Sequence, residues 1–186
     1  ADVDMRKTRG LVKKHIEPLL KDTIPVVCGF LGKSIDGRIT TLGRGGSDST
    51  AVMLANALDA DEVVLVKTTD GLMSADPNLI SSARPISKVS VHEMFALAQG
   101  GAKILRAEAL KFKTDRMRLR IASIDSTNIA EGGTEIEGVF DSRNAEVSMR
   151  HGFEALTLIG DMNANMLCHL FSILSNGSVS VWGVST

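Results

Sequence analysis

The chain has 186 residues, a formal net charge of -1, 44% hydrophobic and 23% charged residues, a balance typical of a globular protein that can bury one good core and a second small domain. No apolar run approaches the roughly 20 residues that cross a bilayer. Near-neutral charge with 4% aromatic residues and no Tyr supplies neither the basic field nor the stacking surface of a nucleic-acid binder, so the expected partner is a small molecule.

From the N-terminus, Leu11, Val12, His15, Ile16, Leu19 and Leu20 recur at helical spacing, with Arg9, Lys13, Lys14 and Lys21 on the other side. This predicts a surface helix packed on a core, with His15 on its apolar face. After Pro25, the run 26–30 reads as a buried strand. Residues 34–41 read as a hairpin turning at Asp36-Gly37. The glycine-rich stretch 43–46 feeds a helix that begins at Ser47, capped by Ser47 or Asp48, with Ala51, Val52, Leu54, Ala55 and Leu58 as its apolar stripe. Residues 62–66 are a β-branched strand, and the strand, helix, strand succession predicts a mainly parallel sheet covered on both faces.

Farther on, Ser90 and Glu93 form a capping-box pattern ahead of Met94, Leu97 and Ala98. A second helix is expected from about Ala102, with Ile104, Leu105, Ala109 and Leu110 on one side. A strand is expected over 117–124, then a connector over 125–135. Strand candidates at 155–159 and 179–184 flank a helix pattern at 163–174, a single βαβ unit that leaves one apolar face uncovered. Lys111, Lys113, Arg116, Arg118 and Arg120 read as a solvated helix end and strand edge, and Met162, Met166 and Trp182 as core or subunit-interface residues. Cys28 and Cys168 lie far apart without a C-x-x-C pattern. They read as buried thiols, not as a zinc site or disulfide framework. With no export signal over residues 1–20, a reducing cytoplasm is the expected location.

The stretch most able to carry chemistry is Thr40-Thr41-Leu42-Gly43-Arg44-Gly45-Gly46-Ser47-Asp48. Glycines let backbone approach a ligand, and N–H groups point outward at a helix start, which together favour an anion. Arg44 adds a planar fork for carboxylate or phosphate, Ser47 a hydroxyl, and Asp48 a group that can orient a lysine or metal near transferring phosphate. The spacing is neither that of a P-loop nor Gly-x-Gly-x-x-Gly. His92-Glu93 is not a zinc motif, since Ala96 stands at the second histidine position. No metal-ligand cluster is evident.

In order and spacing, Gly29-Phe30-Leu31-Gly32, the stretch 40–48, Asp70-Gly71 through Asp76-Pro77, and Gly100-Gly101-Ala102-Lys103-Ile104-Leu105 resemble the second half of the aspartate kinase catalytic domain. The resemblance covers roughly residues 1–136, and Glu131 to Ile136 looks like that family's exit from the domain. Residues 137–186 resemble the first half of an ACT regulatory domain.

The resemblance implies a three-layer α/β sandwich of amino-acid kinase type followed by a partial ACT-like α+β (βαβ) unit. It also implies phosphoryl transfer from ATP, with Mg2+ bridging phosphates, to the side-chain carboxylate of L-aspartate. Arg44, Ser47, Gly45 and Gly46 would bind aspartate, and Asp48 would hold the transferring end in order. Lys67, Thr68, Asp70, Met73, Asn78, Lys103 and Ile104 would meet ATP. An end-product amino acid would act at the ACT region, which would also make the enzyme a homodimer or higher homo-oligomer.

Thr68, Met73, Asn78 and Arg106-Ala107 depart from the family pattern, all expected on the nucleotide side. The family's opening K-F-G-G-T-S segment does not occur in these residues, and residue 1 is not Met. Both points lead to the expectation of an interior piece of a longer enzyme, inactive alone.

Overall fold

A computed structural model describes residues 3–102, 104–129, 131–140 and 163–177. By its contacts the chain divides into two units, Ala1–Ala155 and Leu156–Thr186.

In the first unit, helix α1 (Met5–His15) starts at Asp4, whose carboxylate accepts the Lys7 N–H at 2.9 Å. It ends earlier than the apolar spacing predicts and passes into a 3-10 turn, Glu17–Lys21. Pro18 has no N–H to give and crowds the preceding residue out of α-helical geometry, so the pattern through Leu20 cannot continue as one helix. His15 is exposed rather than set on a packed face, and Val12 is the one buried residue of α1.

Residues 23–28 form no strand. Val26 is 98% exposed and Ile24 94%, so a run with the composition of a buried strand lies outside every sheet among the described residues. An apolar run becomes a buried strand only where neighbours satisfy its backbone and cover its faces. Cys28 is consequently exposed, as is Cys168, so neither is a buried thiol.

The hairpin does form: β1 (Leu31–Lys33) pairs antiparallel with β2 (Ile39–Thr41). Gly37 adopts φ 88°, which the Asp-Gly turn requires. Helix α2 (Gly46–Leu58) and strand β3 (Glu62–Lys67) follow.

The main sheet has the order β3-β7-β8-β6, with β6 at Lys88–Ser90, β7 at Arg118–Ser123 and β8 at Thr134–Glu137. Pairs β3/β7 and β6/β8 are parallel, as the expectation of a mainly parallel sheet has it, and β7/β8 is antiparallel, so the sheet is mixed. The connector is too short for a crossover, and the chain turns back through Gly132 and Gly133, both at positive φ. A Cβ on Gly133 would also lie only 3.0 Å from the Ile121 carbonyl carbon. The two-stranded ribbon β4 (Leu72–Met73) and β5 (Pro85–Ile86) stands beside this sheet.

Five consecutive residues of β7, from Leu119 to Ser123, are buried, so both of its faces are covered. Leu119 and Ile121 enter the apolar core with Val52, Leu65, Met94, Leu110 and Ile136. On the other face Arg120 is buried and fully engaged: it donates to Glu62 Oε1 at 2.8 Å, Gly132 O at 2.8 Å and Ile129 O at 3.0 Å. Lys113 is buried too, donating to Gly138 O at 2.6 Å. These two cations are therefore not part of a solvated edge. Burial of a charge is tolerable only when its hydrogen bonds are replaced, and here backbone carbonyls replace them.

Helix α3 (Val91–Gln99) begins with the complete capping box: Ser90 Oγ accepts from Glu93 N, and Glu93 Oε2 accepts from Ser90 N at 2.8 Å. Ser90's hydroxyl, and then its N–H, holds the Glu93 carboxyl below its ordinary range. Helix α4 is a single turn, Ala107–Leu110, with Ala109 and Leu110 fully buried. The helix expected from Ala102 starts five residues late. Gly100-Gly101 interrupts the backbone with Gly101 at φ 103°, and Arg106 is extended.

In the second unit, α5 (Ala164–Asn176) is capped by Asn163 and matches the helix pattern there. Met166 on it is 50% exposed and so is not a core residue of this unit, the first of its two readings. The expected strands at 155–159 and 179–184, with Met162 and Trp182, lie outside the described residues. Among the described residues no helix is long and apolar enough to cross a membrane.

Candidate functional site

The glycine stretch is held at both ends by backbone bonds. At its start, Leu42 N donates to Phe30 O at 2.9 Å, and Gly46 N closes a turn onto Gly43 O at 2.9 Å. Thr50 Oγ1 donates to Gly46 O at 2.8 Å and accepts from Phe30 N at 3.1 Å, so the segment 29–32 and the start of α2 are joined through one buried hydroxyl. Gly45, at φ 73°, is the N-cap, and no side chain caps α2. The helix thus begins at Gly46, one residue before the sequence-based start, because a left-handed glycine can close the turn without a side-chain cap. First-turn N–H groups of such a helix carry partial positive charge.

Ser47 is exposed on this first turn, and Asp48 is one residue on. The Asp48 carboxylate takes two bonds from Lys67 Nζ, at 2.7 and 2.9 Å. Their side chains are 16% and 27% exposed, so the pair is only partly screened by solvent. Lys67 ends β3, where the strand runs out into the loop that carries Thr68 and Asp70, both exposed. The start of α2 and the end of β3 therefore meet through a charge pair, with the exposed Arg44 on the turn before it. Arg44 forms no ion pair among the described residues, which leaves its guanidinium available.

The loop after Lys67 is anchored rather than trailing. Thr134 Oγ1, fully buried, accepts from Leu72 N at 2.7 Å and donates to Ile86 O at 2.5 Å. Gly71, at φ 96°, passes so close that a Cβ would sit 2.6 Å from that oxygen. Met73 is half-buried in β4. Asn78 is exposed, its N–H and its side-chain amide both donating to Asp76 Oδ1, at 2.9 and 3.0 Å. Ile104 is half-buried against the core. Lys103 lies outside the described residues.

Arg106, expected on the nucleotide side, packs its stem on the glycine loop. A Cβ added to Gly45 would collide with Arg106 Cγ and lie 2.8 Å from Cδ. The arginine's methylene stem fills the space over that glycine. Thr134 did not stand out in the sequence, and Arg106 stood out only as a nucleotide-side departure, because each reaches this region from more than 60 residues away along the chain.

A groove of about 530 Å³ lies nearby, walled by Ile16, Leu20, Ile24, Leu54 and Leu58, with Ser47 at its margin. No charged side chain lines it, so it is unsuited to anionic groups. The charged and hydroxyl groups lie instead at the glycine turn and the end of β3, in Arg44, Ser47, Asp48 and Lys67.

Aspartokinase 2 of Bacillus subtilis is 43% identical over 122 residues, covering 65% of this chain and 29% of that protein. E. coli aspartokinase III in complex with aspartate and ADP, in its R-state, superposes with a TM-score of 0.69 at 27% identity, over 100% of this chain and 42% of that one. The T-state complex of the same enzyme with lysine and aspartate gives 0.64 at 28% identity, over 100% and 43%. The chain spans 27% to 30% of the length of the first curated relatives it matches. A model of the amino acid kinase family matches residues 2–123, and the chain belongs to the amino acid kinase family.

Proposed function

We propose that residues 1–136 are the second half of an aspartate kinase catalytic domain, and that residues 137–186 begin its ACT-like regulatory domain. The observation that carries this is the Asp48–Lys67 pair at the start of α2, beside the uncommitted Arg44. A helix start with an open arginine suits a substrate carboxylate. A lysine held at fixed distance from it suits a phosphoryl group passing between substrates.

In the proposed reaction a side-chain carboxylate oxygen of L-aspartate attacks the γ-phosphorus of ATP. An O–P bond forms, the bond to the β-phosphate oxygen breaks, and ADP leaves with that electron pair, giving 4-phospho-L-aspartate. Arg44 binds the α-carboxylate with help from Ser47 and the backbone of Gly45 and Gly46, which fixes the acceptor for in-line attack. Asp48 keeps the Lys67 ammonium in place. Lys67, Thr68, Asp70, Met73 and Asn78 form the nucleotide side with Lys103 and Ile104.

Among the described residues no three His, Cys, Asp or Glu side chains converge as metal ligands, and Lys67 occupies both Asp48 oxygens. These residues do not make a cage for Mg2+, which belongs to the reaction as the counter-ion of the ATP phosphates.

E. coli aspartokinase III is described with bound lysine in its T-state. For this chain an end-product amino acid acting at residues 137–186, homo-oligomerisation through that region and a cytoplasmic location complete the proposal. The test is to supply the full-length protein with MgATP and L-aspartate, L-glutamate or UMP as acceptor, reading ADP release in each case and trapping any acyl phosphate with hydroxylamine. Aspartyl hydroxamate formed from L-aspartate alone is expected. Equal turnover of glutamate or UMP would overturn the assignment.

A further inference from the structure

We infer that Arg106 is a second substrate-binding arginine of the glycine loop, reading the side-chain carboxylate of an acidic amino acid acceptor while Arg44 takes its α-carboxylate. The inference rests on the proposed function and names a residue for its specificity.

Two arginines flank one glycine. Arg44 is joined to Gly45 through the backbone. Arg106 reaches the same glycine from the start of α4, laying Cβ, Cγ and Cδ across it. This contact has a steric condition, since any side chain at position 45 would occupy the space of the arginine stem, at a backbone φ of 73° that already favours glycine. The stem is thereby fixed on the loop while its head remains accessible.

The guanidinium is nearly uncommitted. Its ion pair is with Glu108, Nε to Oε2 at 3.4 Å, between side chains 49% and 53% exposed. That distance is long for a charge-assisted bond, and a pair so exposed contributes little. Glu108 thus serves as a weak internal carboxylate from which the guanidinium can transfer to a better one. The third cation of the site, Lys67, is already engaged by Asp48. An acceptor with two carboxylates therefore meets two available guanidinium groups, from two segments, at one open loop. A guanidinium distinguishes a carboxylate from a carboxamide by charge and by its two-bond fork.

The test is equilibrium binding of L-aspartate and L-asparagine to the full-length protein by calorimetry. Arg106→Met keeps most of the stem over Gly45 and removes the charge. It should weaken L-aspartate binding by about fivefold to twentyfold, the range expected for one partly exposed charged hydrogen bond. It should leave L-asparagine within about twofold, so the preference for aspartate collapses. Arg106→Lys should recover part of it, and Glu108→Gln, which removes the competing carboxylate, should tighten L-aspartate by about twofold. That last gain guards against mistaking a folding defect for a lost contact. Retention of the full aspartate preference in Arg106→Met overturns the inference alone, as does equal weakening of both amino acids. Failure of the wild-type protein to bind L-aspartate overturns it together with the proposed function.

Discussion

Replacing Lys67 by Met cuts both bonds to Asp48 and leaves a carboxylate that is only 16% exposed without its partner. A hydrogen bond to a charged group contributes about 1.5–3 kcal/mol when well buried. Here the lysine is 27% exposed, so screening brings the coupling of the pair to about 1–2 kcal/mol. The two single substitutions should not cost the same. Asp48 lies in the first turn of α2, where a negative charge gains about 0.3–1 kcal/mol from the helix dipole. Lys67→Met keeps that gain, whereas Asp48→Asn loses it together with the pair. Urea unfolding of the wild type, both single variants and the double variant, followed by circular dichroism, closes the cycle. Asp48→Asn should be the more damaging single change, and the double variant should cost less than the two combined. Additivity within about 0.3 kcal/mol would refute the pair as a coupled unit.

Other expectations follow from the anchors around the site. Thr134→Val removes the hydroxyl that serves both Leu72 N and Ile86 O. It should lower unfolding stability by about 2 kcal/mol through the two buried backbone groups it orphans, read as a fall in urea midpoint. Gly133→Ala should cost more than Gly43→Ala. Both have φ near 79°, but a Cβ at 133 meets the Ile121 carbonyl, whereas at 43 it meets nothing within 4 Å. Thermal melts of the two variants compare them directly.

Acid stability should depend on Glu62, whose carboxyl is held below its ordinary value of 4.5 chiefly by the bond from Arg120. A carboxyl depressed on folding contributes stability that is complete above the unfolded value and is lost as pH falls through the folded one. Glu62→Gln should therefore be less stable than wild type at pH 7. The difference should narrow below about pH 4.5, as measured by urea midpoints across pH.

Local rules were most legible where they need few residues. Asp36-Gly37 specifies its turn, Ser90 and Glu93 specify each other, and the β-branched run before Lys67 gives β3. The glycine loop was also legible, because glycines before a helix with an arginine and a hydroxyl constrain what can bind there. Less legible was whatever depends on a distant neighbour. Arg120 and Lys113 look like surface cations until Glu62 and the carbonyls of Ile129, Gly132 and Gly138 surround them. Arg106 reads as a departure on the nucleotide side until its stem is found over Gly45. Conversely, 26–30 has a buried strand's composition, but composition does not provide the adjacent strands that would bury it. The early end of α1 is written in the sequence too, since Pro18 interrupts the apolar spacing between Ile16 and Leu19.

The central claim, that the glycine loop is the acceptor side of the site, is tested most directly by Arg44→Ala in the full-length protein. Steady-state hydroxamate formation should show KM for L-aspartate raised at least about tenfold, the loss of one charge-assisted carboxylate contact. KM for ATP should stay within about twofold. A rise confined to ATP, or no change in either constant, would contradict the account.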